Sequence, residues 1–132
     1  MVNKPKHLDA KGKGEFHYNY KHDILFFKIK DRDYQKSLDF GDMIIDIDKE
    51  GFPTGVQIFD ASQMFKLDKL ILMNVKNWEF HIKAENNIVT LQLMFMMIRR
   101  NQQIVESGEN LVRESSSQLQ DTEVLCTVPP HK

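Results

Sequence analysis

Residues 89–98 read Val-Thr-Leu-Gln-Leu-Met-Phe-Met-Met-Ile, and this stretch decides the fold class. Val89, Leu91, Leu93, Phe95 and Met97 recur at a period of two, the spacing that lines one face of a strand. Thr90, Gln92, Met94, Met96 and Ile98 fall on the opposite face, which starts polar and ends apolar. A sheet in a small domain needs one buried face, so the second stripe of Met94, Met96 and Ile98 needs a cover of its own. Either helices predicted within 61–73 lie over it, or a second copy of the chain does, most simply across a two-fold axis. Methionine adapts to such interfaces. The expectation is a homodimer interface at Met94, Met96 and Ile98, with Arg99 and Arg100 at its rim, against an acidic ligand or in a plain solvated turn.

Strand patterns continue on both sides of this ribbon. Trp78, Phe80 and Ile82 alternate with Glu79, His81 and Lys83, and Glu85-Asn86-Asn87 turns the chain. Gln102 to Ser107 reads as a hairpin partner and Asp121 to Val128 as a last strand. In the first half, Phe16, Tyr18 and Tyr20 share a face, and Lys21-His22-Asp23 is a turn. Ile24 to Lys30 follows with Leu25, Phe27 and Ile29 on one side; Phe26 on the other side predicts a strand covered on both faces. Ile45-Asp46-Ile47-Asp48 turns at Gly51, a residue suited to positive φ, and returns through Val56 to Phe59. Asp60, with Gln63 three residues on, reads as a helix N-cap, and a second short helical turn starts at Asp68. The fold class is α+β, a mainly antiparallel β-sheet of about eight strands with one or two short helices. Residues 1–14 are expected to be a flexible basic tail and 15–73 a β-rich segment ending in a short helix. Residues 74–128 form a second β segment packed with the first as one globular unit, followed by a frayed tail at 129–132.

Composition excludes several classes. The chain has 132 residues, enough to bury a core without metals or disulfides. No apolar run reaches the roughly 18 residues that a membrane span needs, and the first 30 residues hold no apolar secretory segment. A single cysteine, Cys126, makes no internal disulfide and points to a reducing cytoplasm. With 18 Lys+Arg against 19 Asp+Glu, bulk binding to nucleic acid or anionic lipid is not expected. Lys4, Lys6, Lys11 and Lys13 make the start basic, but it lacks arginine and aromatic residues and is a poor nucleic-acid arm.

Chemistry-bearing patterns are sparse. Asp46-Ile47-Asp48-Lys49-Glu50-Gly51 has the opening of a calcium loop, yet position 12 is Gln57 rather than glutamate and both flanks read as strands. A solvated hairpin turn with outward aspartates is the expectation. His17, His22 and Asp23 are the only candidate metal ligands, and the odd spacing of the histidines sets them on opposite faces. Cys126 lies in a strand pattern as a buried or interface thiol. No phosphate loop, dinucleotide fingerprint or Gly-x-Ser-x-Gly occurs. No cofactor, catalytic residue or bound metal is expected. The leading function is a non-catalytic, cytoplasmic, homo-oligomeric protein-interaction module. The alternatives are a small metal-dependent enzyme using His17, His22 and nearby aspartates, and nucleic-acid binding through Lys4–Lys13 and Arg99–Arg100.

Residues from about Tyr18 to Ser62 resemble an uncharacterised prokaryotic family, domain of unknown function 2283. The resemblance rests on Tyr20-Lys21-His22-Asp23-Ile24-Leu25-Phe26-Phe27, on the aspartate-rich hairpin from Asp42 to Gly51, and on Val56-Gln57-Ile58-Phe59-Asp60-Ala61-Ser62. The closing Ile-Phe-Asp-Ala-Ser is its most specific piece. The chain departs from the pattern at Phe26-Phe27, where a tyrosine is usual. The resemblance implies a small sheet-and-helix domain and brings no catalytic residues with it.

Overall fold

The computed structural model describes residues 6–75 and 77–128, and for 97–99 the backbone alone. Eleven strands and two helices follow one another as β1 (Lys6–Asp9), β2 (Gly14–Asn19), β3 (Ile24–Ile29), β4 (Tyr34–Asp39), β5 (Met43–Asp48), β6 (Pro53–Ile58), α1 (Ala61–Phe65), α2 (Lys69–Met73), β7 (Asn77–Glu85), β8 (Ile88–Arg99), β9 (Gln102–Ser107), β10 (Leu111–Glu114) and β11 (Thr122–Val128). The protein is α+β, mainly antiparallel, with two short helices. Its strands divide between two sheets. The first runs β1-β11-β7-β8-β10 with β9 also on β8, and the second runs β2-β3-β6-β5-β4. Among the described residues only the β1–β11 pair is parallel.

The period-two patterns explain why the sheets meet. Leu25, Phe27 and Ile29, then Met43, Ile45 and Ile47, then Val56 and Ile58 line the inner face of the second sheet and are buried. Trp78, Phe80, Ile82, Val89, Leu91, Leu93, Phe95, Val124 and Cys126 do the same for the first. These faces share one core. Phe27 stacks on Phe80 with ring centroids 4.0 Å apart, and Phe16 on Trp78 at 3.8 Å. Each such pair adds about 1 kcal/mol beyond its area burial. Burying each sheet against the other is the standard solution for two one-sided apolar sheets.

Several expectations need correction. Residues 6–14 are not a tail: β1 pairs with β11, and the Ala10 and Gly12 N–H groups donate to the Leu125 and Thr127 carbonyls. Residues 1–5 and 129–132 lie outside the described part. Phe26 is not covered; it is 36% exposed on the outer face of the second sheet, because the first sheet takes only the inner face. The helices do not lie over Met94 and Met96. The 59–75 segment crosses from β6 to β7 at one end of the two sheets, where the Phe65 carbonyl accepts the Glu109 N–H and Phe65 packs on Gly108. Leu72 and Val75 close the core there.

The two sheets come close together at Gly14. A Cβ at this position would meet Cys126 Sγ and Val128 Cγ2 at 2.8 Å each, on the opposing sheet. Both neighbours are themselves buried, so neither can swing away. Gly14→Ala should therefore destabilise the fold by roughly 2 kcal/mol through overpacking. Urea unfolding followed by tryptophan fluorescence checks this, since Trp78 is buried in the same layer.

Candidate interaction surface

The outer face of the first sheet carries the residues that the inner face does not use. Glu79, His81 and Lys83 on β7, Thr90, Gln92, Met94 and Met96 on β8, and Glu123, Leu125 and Thr127 on β11 follow from the same alternation that buries their neighbours. Two adjoining grooves run along this face. One, about 450 Å³, is lined by His7, Leu8, Asp9, Glu79, His81, Gln92, Met94, Glu123 and Leu125. The other, about 330 Å³, continues past Glu79 and Met94 to Trp78, Phe95, Met96 and Val105, with Lys11 at its edge. Among the described residues, none from a helix lines either groove. Met94 and Met96 are half-buried, whereas Val105 is 66% exposed. The Ile98 side chain, the third member of the expected stripe, lies outside the described residues.

Glu123 gathers the two histidines of this face. His81 Nε2 lies 2.8 Å from Glu123 Oε1, and His7 Nδ1 lies 3.7 Å from Glu123 Oε2. The His81 hydrogen bond, followed by the charges of His81, His7 and Lys83, holds the Glu123 carboxyl below its ordinary range against a smaller desolvation effect. Sequence alternation places His81 outward, as it is. It gave no sign of Glu123 or His7, which come from the far end of the chain and from the segment read as a tail.

The other acidic residues serve the fold. Asp23 is buried, at φ 54°, in the β2–β3 turn. Its carboxylate accepts from the Tyr18 hydroxyl at 2.5 Å, the Ser62 hydroxyl at 2.6 Å and the Ser62 N–H at 3.0 Å, and its carbonyl accepts the Ala61 N–H. Burial pushes this carboxyl upward, but the Ser62 and Tyr18 hydrogen bonds, with the Lys69 charge behind them, outweigh it and hold it below the ordinary range. The Tyr18 hydroxyl is pushed well up, by desolvation first and by Asp23 second. Asp60, the expected cap, stands at the N-cap position with φ 52° and makes no side-chain bond to the helix. Asp23 does that work from 39 residues away, because a left-handed Asp60 cannot aim its own carboxylate at the first turn. Asp68, by contrast, accepts the Leu70 N–H and caps α2.

Two further carboxylates tie distant segments. Asp48 is 1% exposed; one oxygen accepts the Glu50 and Phe52 N–H groups at 2.9 Å each, and the other takes the Arg32 guanidinium at 2.8 Å. The turn is therefore not the solvated loop with outward aspartates that its sequence suggested: Asp48 faces inward and closes it. Asp42 receives Arg113 from the opposite sheet, Nη2 to Oδ2 at 2.6 Å, and that guanidinium keeps its carboxyl below the ordinary range. His17, His22 and Asp23 do not converge. His17 and His22 are exposed, and Asp23 is engaged by Tyr18 and Ser62. Among the described residues no group of three or more potential ligands is placed to hold a metal ion, and no helix is long and apolar enough to cross a membrane.

Fold and surface define a small, two-sheet, mainly antiparallel α+β protein whose first sheet keeps an open, partly apolar outer face. The chain belongs to the family described as protein of unknown function DUF2283, whose model matches residues 15–62. An uncharacterised protein of Methanocaldococcus jannaschii is 30% identical over 92 residues, covering 69% of this chain and 79% of that protein. A Methanosarcina mazei protein, provisionally named a hypoxanthine phosphoribosyltransferase, is 29% identical over 94 residues, covering 71% of this chain and 76% of its own. No solved structure matches. The matched family segment contains Tyr18, Asp23 and Ser62, so the ending Ile-Phe-Asp-Ala-Ser supplies the serine that Asp23 holds.

Asp23→Ala should cost on the order of 3 kcal/mol, since it leaves two hydroxyls and a helix N–H without their acceptor. Asp60→Gly should stay within about 0.5 kcal/mol of the parent, because no side-chain bond is lost and glycine accepts the left-handed backbone. Equilibrium urea denaturation of both variants tests the assignment; a reversed order would return the capping role to Asp60. The lowered Asp23 pKa also sets a pH dependence. Its contribution is complete above the ordinary aspartate value of 3.8 and is lost as pH falls through the depressed value in the folded state. Urea midpoints from about pH 5 down to about pH 2.5 should therefore fall more steeply for the parent than for Asp23→Asn.

Proposed function

We propose that this protein is a non-catalytic protein-interaction module of the cytoplasm that works as a homo-oligomer, most simply a two-fold dimer. One observation carries the reading: Met94, Met96 and Val105 form an apolar strip on the outer face of the first sheet, and no described element of the chain crosses it. A strip of this kind at the surface of a small domain is a usual mark of an association site. The occupant argued for is a second copy. The grooves that hold the strip mix basic and acidic side chains, with His7, His81 and Lys11 beside Asp9, Glu79 and Glu123, so the patch can complement itself as an isologous contact requires. The cytoplasmic part is supported by Cys126, a buried free thiol in a chain that uses no disulfide; burial pushes it up to about 11, out of the reactive range.

Catalysis finds less support. The acids with specific partners, Asp23, Asp42 and Asp48, are occupied in holding turns, a helix start and the two sheets together. The provisional name of the Methanosarcina mazei relative suggests phosphoribosyl transfer, a reaction on a pyrophosphate-bearing substrate. Helix N-termini are the ready-made sites for such anions. Here both are filled by the chain's own carboxylates, Asp23 at α1 and Asp68 at α2. The first groove on the outer face sets Asp9, Glu79 and Glu123 beside His7 and His81 and holds no lysine or arginine, a poor lining for phosphate.

Light scattering coupled to size exclusion should give twice the 15.5 kDa chain mass at tens of micromolar. Met96→Glu should raise the dimer dissociation constant about tenfold or more, the equivalent of ~1.4 kcal/mol. A parent protein that stays monomeric at that concentration overturns the proposal.

A further inference from the structure

β9 is an open sheet edge of an unusual kind. It pairs with β8 on one side, from Met94↔Ser107 to Arg99↔Gln102, and no described strand pairs with its other side. The Gly108 N–H donates to the Leu93 carbonyl at 3.0 Å, continuing that register. In an antiparallel ladder successive residues turn their backbone groups to alternate sides. Gln102, Ile104 and Glu106 therefore address β8, while Gln103, Val105 and Ser107 turn N–H and C=O toward the free edge. The same alternation puts the Val105 side chain on the outer face beside Met96, its register partner.

The remaining edges carry the usual protections against strand addition. β1 is four residues long and bears Lys6, His7 and Asp9. β4 bears Lys36 and Asp39 and is broken by a bulge between Tyr34 and Lys36. β2 bears Glu15 and His17, and β10 is four residues long with Arg113 and Glu114. β9 has six residues, a regular register, no proline or lysine, and a single charge, Glu106.

We propose that β9 is the docking strand for a second copy of this chain, which adds its own β9 antiparallel across a two-fold axis at Val105. This rests on the self-association argued above and names the strand that carries it. With the axis at Val105, each Val105 faces its counterpart, and Gln103 faces Ser107 of the partner subunit. Every outward N–H and C=O then finds an acceptor or donor, about six interchain hydrogen bonds in all. Glu106 falls opposite Ile104 of the partner subunit, which keeps the two carboxylates from facing each other. An axis at Ile104 would pair only Gln103 with Val105 of the partner subunit, about four bonds rather than six, and an axis at Glu106 would set the two carboxylates face to face. The two Val105 side chains meet across the axis on the outer face, each beside its own Met96, so the two apolar strips join into one while the free backbone groups pair; the contact lengthens the sheet and leaves the outer surface of the strip open.

Val105→Pro removes an outward N–H and none of the β8–β9 bonds, so it tests the pairing directly. The dissociation constant should rise about a hundredfold, giving a monomer at tens of micromolar with parent-like circular dichroism. Val105→Lys, which places a charge on the edge without altering the backbone, should act in the same direction and decides the matter if the proline variant misfolds. Val105→Cys should give a dimer with a short bis-maleimide, whereas Val112→Cys, exposed on β10, should not. A parent that is already monomeric, its edge then open to a strand of another protein, overturns both this pairing and the association it rests on. A parent dimer that survives Val105→Pro and Val105→Lys and fails to cross-link through Val105→Cys overturns the β9 pairing alone.

Discussion

The stacking of Phe27 on Phe80, 4.0 Å between centroids, sits where the two halves of the chain share a core. Each half makes a sheet with one apolar face, and neither face can remain in water at an acceptable free energy. Leu25, Phe27, Ile29, Ile45 and Val56 from the first half meet Phe80, Ile82, Leu91, Leu93 and Val124 from the second. Other features follow from this closure. Gly14 lacks a side chain where β2 crosses close to Cys126 and Val128, and the helical crossover is short because it needs only to seal one end.

Once the sheets are face to face, their loops must be fixed without further apolar area, and buried or half-buried carboxylates do this. Asp23 joins the β2–β3 turn to the start of α1, Asp48 closes the β5–β6 turn and anchors Arg32, and Asp42 joins the two sheets through Arg113. Each accepts hydrogen bonds from charged or backbone donors, which are stronger than neutral pairs and directional enough to set a turn. Each of these acids is thereby committed to holding segments that the apolar core does not reach.

The alternation of Trp78, Phe80 and Ile82, and of Leu25, Phe27 and Ile29, made most strands legible, because a period of two is recorded in side chains the strand itself carries. β1 was not legible: Lys6-His7-Leu8-Asp9 holds one apolar residue, and its order comes from pairing with β11 at the far end of the chain. The division into two sheets was equally hidden, since alternation tells which side chains are buried but not what buries them. Asp60 misled for a local reason. A cap is predicted from neighbours in sequence, whereas this helix takes its cap from a turn 39 residues earlier. Of the expected surface, Met94 and Met96 were legible as outward apolar residues. Val105 came with the expected hairpin partner of their strand, whereas His7 and Glu123, which complete the first groove, came from strands whose partners the sequence does not specify.

The outer face also shows why a chain with a well-filled core should keep apolar side chains outside it. Leucine or valine at 94 and 96 would hold one shape and need a preformed complement, whereas methionine can fold over its own strand when alone and repack against a neighbour. Met94 and Met96 are half-buried in the single chain, sheltered along their grooves by Glu79, Gln92 and Leu125. The free chain is thus protected from strand addition at most edges by charge, bulge and brevity. Selection against misassembly would be expected to treat β9 in the same way. Its single charge, Glu106, points to the inner side, away from the methionine strip, and leaves the outward backbone groups unguarded. An edge left open beside an adaptable apolar strip, on a surface otherwise defended, is better explained by use than by neglect.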